Sequence, residues 1–161
     1  MKRIFLDMDG VLCEYRADAT LEDMERGGYF LALRPRTDMV NAVRRLIGRG
    51  EYEVFVLSAV LPQKAEASVR EKNDWLDPYL PEIDAAHRLF PLCGTNKADA
   101  VPDFCTDDIL FDDHSPNLER WIQSGGRGVK ILNEVNGISG SFQKGPRLRV
   151  RCLNDLLLAV T

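Results

Sequence analysis

Two aspartates, Asp7 and Asp9, follow an apolar run near the start of the chain and are separated by one residue. In an extended strand, side chains two positions apart project to the same side. Two carboxylates held so close favour sharing a proton or binding a cation. One of them can attack a phosphorus atom while the other, when protonated, serves the departing oxygen. A solvated Asp-x-Asp-Gly turn is the alternative, because Asp-Gly is also a common turn sequence.

Further polar groups follow other predicted strands. Ser58 ends the apolar run 54–57, Lys97 lies in a loop after a weaker strand, and Asp112 and Asp113 end the run 109–111. The carboxyl ends of parallel strands meet at one edge of a sheet, where open α/β folds bind ligands. Taken singly, each group has an ordinary structural reading as a turn serine, a surface lysine or a solvated acidic pair. Their order along the chain is the informative feature.

Alternating strand and helix signals position these residues. Strand signals cover 2–7, 54–57, 88–92, 109–111 and 128–132, and helix signals cover 37–47, 63–76, 115–123 and 154–160. The alternation predicts a parallel sheet with helices on both faces. We expect the second helix to end before Pro78 and Asn154 to cap the last one. Residues 138–148, rich in Gly, Ser and basic side chains, read as a surface loop or hairpin.

Length, charge and cysteine content limit the number of domains, the class of partner and the compartment that we expect for this protein. The 161 residues suit one domain, 1–161, and the net charge of -4 argues against a nucleic-acid backbone as partner. The four cysteines have no metal-site or disulfide spacing, which indicates free thiols and a reducing compartment. No apolar run approaches membrane-spanning length. We therefore expect a cytoplasmic protein with no membrane partner.

The order Asp-x-Asp-Gly, strand-Ser, Lys and strand-Asp-Asp resembles the four motifs of the haloacid dehalogenase superfamily of phosphohydrolases. The resemblance implies a Rossmann-like three-layer α/β/α core with strand order 5-4-1-2-3 and a small cap inserted at 14–36. It also implies Mg²⁺ held by the Asp7 side chain, the Asp9 backbone carbonyl and the Asp112 side chain. Asp113 would then act on the metal through water or another ligand.

A closer similarity within that superfamily is to the pyrimidine 5'(3')-deoxyribonucleotidases. It rests on DMDGVLCEY at 7–15, the aromatic segment 28–35, the second motif at 54–58 and the Lys-x-x-Trp pattern at 72–75. The family's second motif reads Thr-Ser where this chain has Ser58-Ala59, and the segment available for a cap is shorter than in the animal enzymes. The phosphate-binding residues implied by the resemblance are Ser58, Ala59, Lys72 and Lys97, and the implied substrate wall is formed by Tyr15, Tyr29 and Phe30.

The resemblance implies an Mg²⁺-dependent phosphomonoesterase with an aspartyl-phosphate intermediate, acting on (deoxy)nucleoside monophosphates. Asp7 is predicted as the nucleophile and Asp9 as the general acid and base. Two alternatives stay open: a phosphatase of the same fold acting on a sugar phosphate or a nucleic-acid 3'-phosphate end, and a non-catalytic binding module. The sequence also leaves open whether the protein is a monomer or a homodimer.

Overall fold

The computed structural model describes residues 1–136 and 142–161 and contains a six-stranded parallel sheet. Its strands are β1 (Lys2–Leu6), β2 (Tyr52–Leu57), β3 (Arg88–Leu89), β4 (Ile109–Asp112), β5 (Arg127–Ile131) and β6 (Arg147–Leu148). The helices are α1 (Leu21–Glu25), α2 (Thr37–Gly48), α3 (Ala65–Tyr79), α4 (Ser115–Gln123) and α5 (Leu153–Val160). The strands lie in the order β3-β2-β1-β4-β5-β6. The predicted α/β class and the strand order 5-4-1-2-3 are confirmed, with β6 added beside β5.

Strand β1 lies in the middle of the sheet and is buried on both faces. Ile4 and Leu6 pack into one apolar cluster, and Phe5, which points the opposite way, packs into another. This alternation is the one expected for a strand covered by helices on both sides. The first cluster contains buried residues of α2, α3 and α5, and the second contains buried residues of α4. The two apolar clusters, one on each face of the sheet, hold the strands in place and so position the polar residues at the strand ends.

Helix α3 extends further than predicted, through Pro78 to Tyr79. Proline lacks a backbone N–H and disfavours a helical residue before it, which is why the sequence suggested an earlier end. Leu76 and Leu80 are fully buried, and the Leu80 N–H donates to the Leu76 carbonyl at 2.7 Å. Packing of these two leucines therefore keeps the last turn in place despite the proline.

In the C-terminal region one expectation is wrong and another holds in part. Helix α5 begins at Leu153 after Cys152 as its N-cap residue, and the Asp155 carboxylate accepts the Cys152 N–H at 3.3 Å, so Asn154 is not the cap. Strand β6 pairs parallel to β5, which excludes a hairpin return. Residues 143–146 form the predicted loop and are mostly exposed, but Phe142 before them is fully buried. Residues 137–141 lie outside the described part of the chain.

The segment predicted as a cap, 14–36, leaves the sheet after β1 and returns at α2. It contains α1, in which no residue is buried, followed by Tyr29, Phe30 and Leu33, which are buried. All four cysteines are free, as predicted. Within residues 1–136 and 142–161, no helix has the length and apolar character needed to cross a membrane.

Candidate active site

The carboxyl ends of β1, β2 and β4 bring the predicted polar residues to one edge of the sheet. Asp7 follows β1, Ser58 follows β2, and Asp112 and Asp113 lie at the end of β4. The Asp7 N–H donates to the Phe111 carbonyl at 2.9 Å, so the pairing of the two central strands extends into the site. Asp7, Asp112 and Asp113 are at least nine-tenths buried, and the Asp9 side chain is 21% exposed.

Gly10 shapes the turn that carries Asp9. Its φ is +80°, a conformation that residues with a Cβ rarely adopt, and a Cβ there would collide with the Asp113 carboxylate and the Asn133 side chain. The Asn133 amide instead donates to the Gly10 carbonyl at 3.0 Å and to Asp113 Oδ2 at 2.7 Å. The glycine of the Asp-x-Asp-Gly motif is therefore required both for the turn and for the close approach of two other strand ends.

Asp7, Asp112 and Asp113 form a compact acidic group. Each offers one carboxylate oxygen, and these oxygens all lie within 4.8 Å of one another. Burial and the neighbouring Asp7 and Asp112 carboxylates raise the pKa of Asp113 to about 7. Burial also raises the pKa of Asp112, against the opposing effect of Lys97. Buried carboxylates this close repel each other when they are ionised, and a bound cation relieves the repulsion. Because all the donors are hard oxygen atoms, Mg²⁺ is a suitable cation.

The acidic group agrees with two of the predicted metal ligands, Asp7 and Asp112. Coordination by the Asp9 backbone carbonyl stays a prediction. A carboxylate oxygen of Asp113 also lies within 4.8 Å of the oxygens of the other two, so direct coordination by Asp113 is an alternative to the indirect contact expected from the sequence. Two further side chains hold Asp113: the buried Lys130 donates to its carbonyl oxygen, and the half-buried Asn136 donates to Oδ2 at 2.9 Å.

Lys97 neutralises part of this acidic group. Its Nζ lies 3.0 Å from Asp7 Oδ1 and 2.7 Å from Asp112 Oδ2, and its side chain is 3% exposed. Burial disfavours the ammonium, but Asp112 and Asp7 together raise the pKa of Lys97 well above its usual value. The residue begins a short 3₁₀ turn, Lys97–Ala100, whose preceding Asn96 accepts the Ala98 N–H at 3.3 Å. Lys97 is therefore a fixed positive charge beside the nucleophile predicted from the sequence.

A second lysine pairs with the other catalytic candidate. Lys72, from α3, donates to Asp9 Oδ2 at 2.5 Å, to Ser58 Oγ at 2.8 Å and to the Ala59 carbonyl at 3.2 Å. Its side chain is fully buried, and the ring of Phe30 lies 4.6 Å from its Nζ. Lys72 thus contacts the Asp9 carboxylate directly, and Ser58 accepts a hydrogen bond from the same Lys72 ammonium. The predicted contact of Lys72 and Ser58 with a phosphate stays a prediction.

A cavity of about 220 Å³ opens above the carboxylates. The three predicted wall residues, Tyr15, Tyr29 and Phe30, all line it, together with Asp7 and Asp9. Its lining also includes Met24, Ala59, Leu61, Cys93, Lys97, Asp113, His114, Asn117 and Asn136. Burial, with a smaller effect of Asp9, raises the pKa of Tyr29 to about 12, so its hydroxyl stays protonated. The cavity thus has carboxylates at its base and aromatic side chains along one wall.

Sequence reasoning missed the asparagines of the site. Asn133 and Asn136 hold Asp113, and the Asn117 amide donates to Asp112 Oδ2 at 3.0 Å. Asn133 lies two residues beyond β5, at the same edge as the other strand-end residues. Asn133 could therefore have been predicted as a site residue, because the carboxyl end of β5 lies at the same edge of the sheet as those of β1, β2 and β4. Asn117 and Asn136 offer no such signal, because one lies inside a helix and the other in a turn.

Comparison with known proteins agrees with this geometry. The family model for 5' nucleotidase, deoxy (pyrimidine), cytosolic type C protein matches residues 16–138, a range that begins after Asp9 and includes Ser58, Lys72, Lys97 and Asp112. No significant match was found among curated proteins.

Two solved structures share the fold over nearly the whole chain. D,D-heptose 1,7-bisphosphate phosphatase from B. bronchiseptica, crystallised with magnesium and phosphate, is 14% identical, with a TM-score of 0.65 and 98% of each chain covered. The D,D-heptose 1,7-bisphosphate phosphatase from Burkholderia thailandensis is 15% identical, with a TM-score of 0.64 over 98% of this chain and 97% of the other. The family match covers well over half of the sequence. The chain therefore belongs to the 5' nucleotidase, deoxy (pyrimidine), cytosolic type C family, and it is a phosphatase of the haloacid dehalogenase superfamily.

Proposed function

We propose that this phosphomonoesterase hydrolyses nucleoside monophosphates, with Asp7 as nucleophile, Asp9 as general acid and base, and Mg²⁺ as cofactor. The observation that carries the proposal is the cavity, in which both carboxylates lie beneath three aromatic side chains. The family match supports a nucleotide as substrate. A phosphate placed on the carboxylates would leave its organic group beside the aromatic wall.

We assign the nucleophilic attack on the phosphorus atom to Asp7. One of its carboxylate oxygens forms the new bond to phosphorus while the bond from phosphorus to the ester oxygen breaks, which leaves an acyl phosphate on Asp7. Lys97 lies 3.0 Å from Asp7 Oδ1 and provides a fixed positive charge beside the group being transferred. Such a preorganised charge stabilises the negative charge that the transition state spreads over the phosphoryl oxygens.

Asp9 is the group that we assign to proton transfer. It gives a proton to the departing ester oxygen and later takes one from the water that attacks the acyl phosphate. That second attack releases inorganic phosphate and restores the Asp7 carboxylate. The hydrogen bonds from Lys72 to Asp9 Oδ2 and Ser58 Oγ fix the orientation of Asp9 during both transfers.

The acidic group would hold the cofactor through Asp7 and Asp112, with the Asp9 carbonyl or Asp113 as the further protein ligand. When bound, Mg²⁺ supplies positive charge to the phosphoryl oxygens. The donor set contains buried carboxylates and no histidine or cysteine, which favours magnesium over zinc.

Magnesium binding is expected to stabilise the folded protein. At a concentration about 100 times its Kd, a ligand adds about 2.7 kcal/mol to the free energy of unfolding. For a chain of this size that is a rise in Tm of about 5 to 10 °C. Asp112→Asn should abolish most of the rise, whereas Asp107→Asn, exposed at the opposite edge of the sheet, should retain it. An equal rise in the Asp112 variant, measured by differential scanning fluorimetry, would place the metal elsewhere.

Tyr15 is the wall residue with the most accessible ring, since Tyr29 and Phe30 are at least nine-tenths buried. Stacking of a base on an aromatic side chain contributes about 1–3 kcal/mol. We expect Tyr15→Ala to lower kcat/KM for a nucleotide by roughly five- to a hundredfold, and to change hydrolysis of p-nitrophenyl phosphate only a few-fold. Equal losses on both substrates would show that Tyr15 supports the fold or excludes water rather than binding a base.

A sugar phosphate is the second candidate substrate. The cavity, at about 220 Å³, is small, and two of the similar solved structures are phosphatases of a heptose bisphosphate. Turnover on a panel of nucleoside 5'- and 3'-monophosphates and sugar phosphates, each with Mg²⁺, separates the two. The proposal expects the highest kcat/KM on a nucleotide, and a clear preference for a sugar phosphate would replace it.

A further inference from the structure

Helix α3 is joined to the aromatic wall by side chains of two successive turns. We call residues Gly28–Leu33 the wall segment, because it carries Tyr29 and Phe30. The Glu71 carboxylate accepts the Gly28 N–H at 2.6 Å through Oε1 and the Phe30 N–H at 3.1 Å through Oε2. One carboxylate therefore holds the backbone on both sides of Tyr29.

Trp75 makes a third contact one turn further along α3. Its Nε1–H donates to the Leu33 carbonyl at 2.7 Å, and its ring is fully buried. Between Glu71 and Trp75 in the helix, Lys72 approaches the Phe30 ring at 4.6 Å and pairs with Asp9. The same stretch of α3 thus fixes the wall segment and the proton-transfer group relative to each other.

The chain before the wall segment is only partly packed, because its apolar side chains Ala19 and Met24 are partly and not fully buried against the core. No residue of α1 is buried, and Gly28 adopts a φ of +86° with no atom within 4 Å of where a Cβ would lie. Gly27 and Gly28 together allow many backbone conformations in the unfolded chain. A bidentate, charge-assisted acceptor at this point therefore selects one conformation from many.

We propose that Glu71 is a positioning residue for substrate specificity. By accepting the Gly28 and Phe30 N–H groups, it sets the distance between the aromatic wall and the Asp7–Asp9 carboxylates, and so determines how an organic group attached to the phosphate fits. Glu71 does not line the cavity and makes no step of the reaction itself. This inference rests on the proposed function, because it assumes a substrate large enough to touch the wall.

Glu71→Gln is the direct test. Glutamine keeps the size of the side chain but offers one oxygen acceptor in place of two and carries no charge. The matched control is Glu66→Gln on the same helix, where the carboxylate is exposed and pairs with Arg70 at 3.5 Å. We expect Glu71→Gln to raise KM for a nucleoside monophosphate about tenfold while leaving kcat on p-nitrophenyl phosphate within about twofold. The control should match the wild type on both substrates.

Hydrogen exchange provides a readout that needs no substrate. In Glu71→Gln, the amides of Gly28 and Phe30 should exchange at least about tenfold faster than in the wild type, while β1 amides keep their protection. Unchanged exchange at these amides, or equal losses on the nucleotide and the small ester, would overturn the proposal. Glu71→Asp, which keeps the charge but shortens the reach, should also speed exchange if Glu71→Gln folds poorly. If the wild type prefers sugar phosphates, the nucleotidase proposal fails, and the exchange result still decides the role of Glu71.

Discussion

Asp7→Asn is expected to fold normally and to lose roughly 10³-fold or more of kcat on every phosphomonoester. An amide oxygen is a poor nucleophile and cannot form the acyl phosphate, so the covalent step is lost rather than slowed slightly. The substitution preserves the shape of the side chain and still leaves an oxygen for Lys97, which lies 3.0 Å from Asp7 Oδ1. Steady-state kinetics on p-nitrophenyl phosphate measures the effect.

The control for this variant is Asp107→Asn, an exposed aspartate at the opposite edge of the sheet. It should retain wild-type kcat, and circular dichroism should show that both variants are folded. If Asp7→Asn retained a tenth or more of the wild-type kcat, a direct attack of water on phosphorus would have to replace the covalent mechanism.

Asp9→Asn is expected to lower kcat on a nucleotide by roughly 10²–10⁴-fold. The asparagine oxygen can still accept the hydrogen bond that Lys72 donates to Asp9 at 2.5 Å, so the packing of the pair is retained while proton transfer is lost. The loss in kcat/KM, which reports formation of the acyl phosphate and not its hydrolysis, should be smaller on p-nitrophenyl phosphate, whose leaving group departs without a proton. This difference between substrates identifies Asp9 as the general acid.

Magnesium affinity separates the roles of Asp9 and Asp112. Asp9→Asn keeps its backbone carbonyl, so the Mg²⁺ concentration that gives half-maximal activity should change little. Asp112→Ala removes a carboxylate from the acidic group and should raise that concentration strongly. Equal magnesium dependence in the two variants would contradict the division of roles.

The site residues that directly follow a predicted strand could be identified from the sequence. Asp7, Asp9, Ser58 and Asp112 each follow or end an apolar run, and parallel strands that alternate with helices bring such ends together. The order of the strands within the sheet, in contrast, was implied by the family resemblance and not by these patterns. The central carboxylates of the site are therefore a local consequence of patterns that can be read directly from the chain.

The contacts between elements could not be predicted in the same way. The pairing of Lys72 with Asp9 joins residues 63 positions apart, and the contact of Asn133 with Gly10 joins residues 123 apart. Such contacts depend on how the helices and turns pack around the sheet, which local patterns do not encode. The same limit explains the error at Pro78, where the burial of Leu76 and Leu80 outweighs the helix-breaking tendency of proline.

Chemical trapping of the phosphorylated enzyme tests the central claim most directly. The protein is mixed with Mg²⁺ and excess nucleoside monophosphate, quenched during turnover and treated with borohydride, which reduces an aspartyl phosphate to homoserine. Peptide mass spectrometry then locates the modified residue. The account predicts homoserine at position 7, none at Asp9, and none when substrate is omitted. Modification at another carboxylate, or none during rapid turnover, would contradict the assignment of Asp7 as the nucleophile.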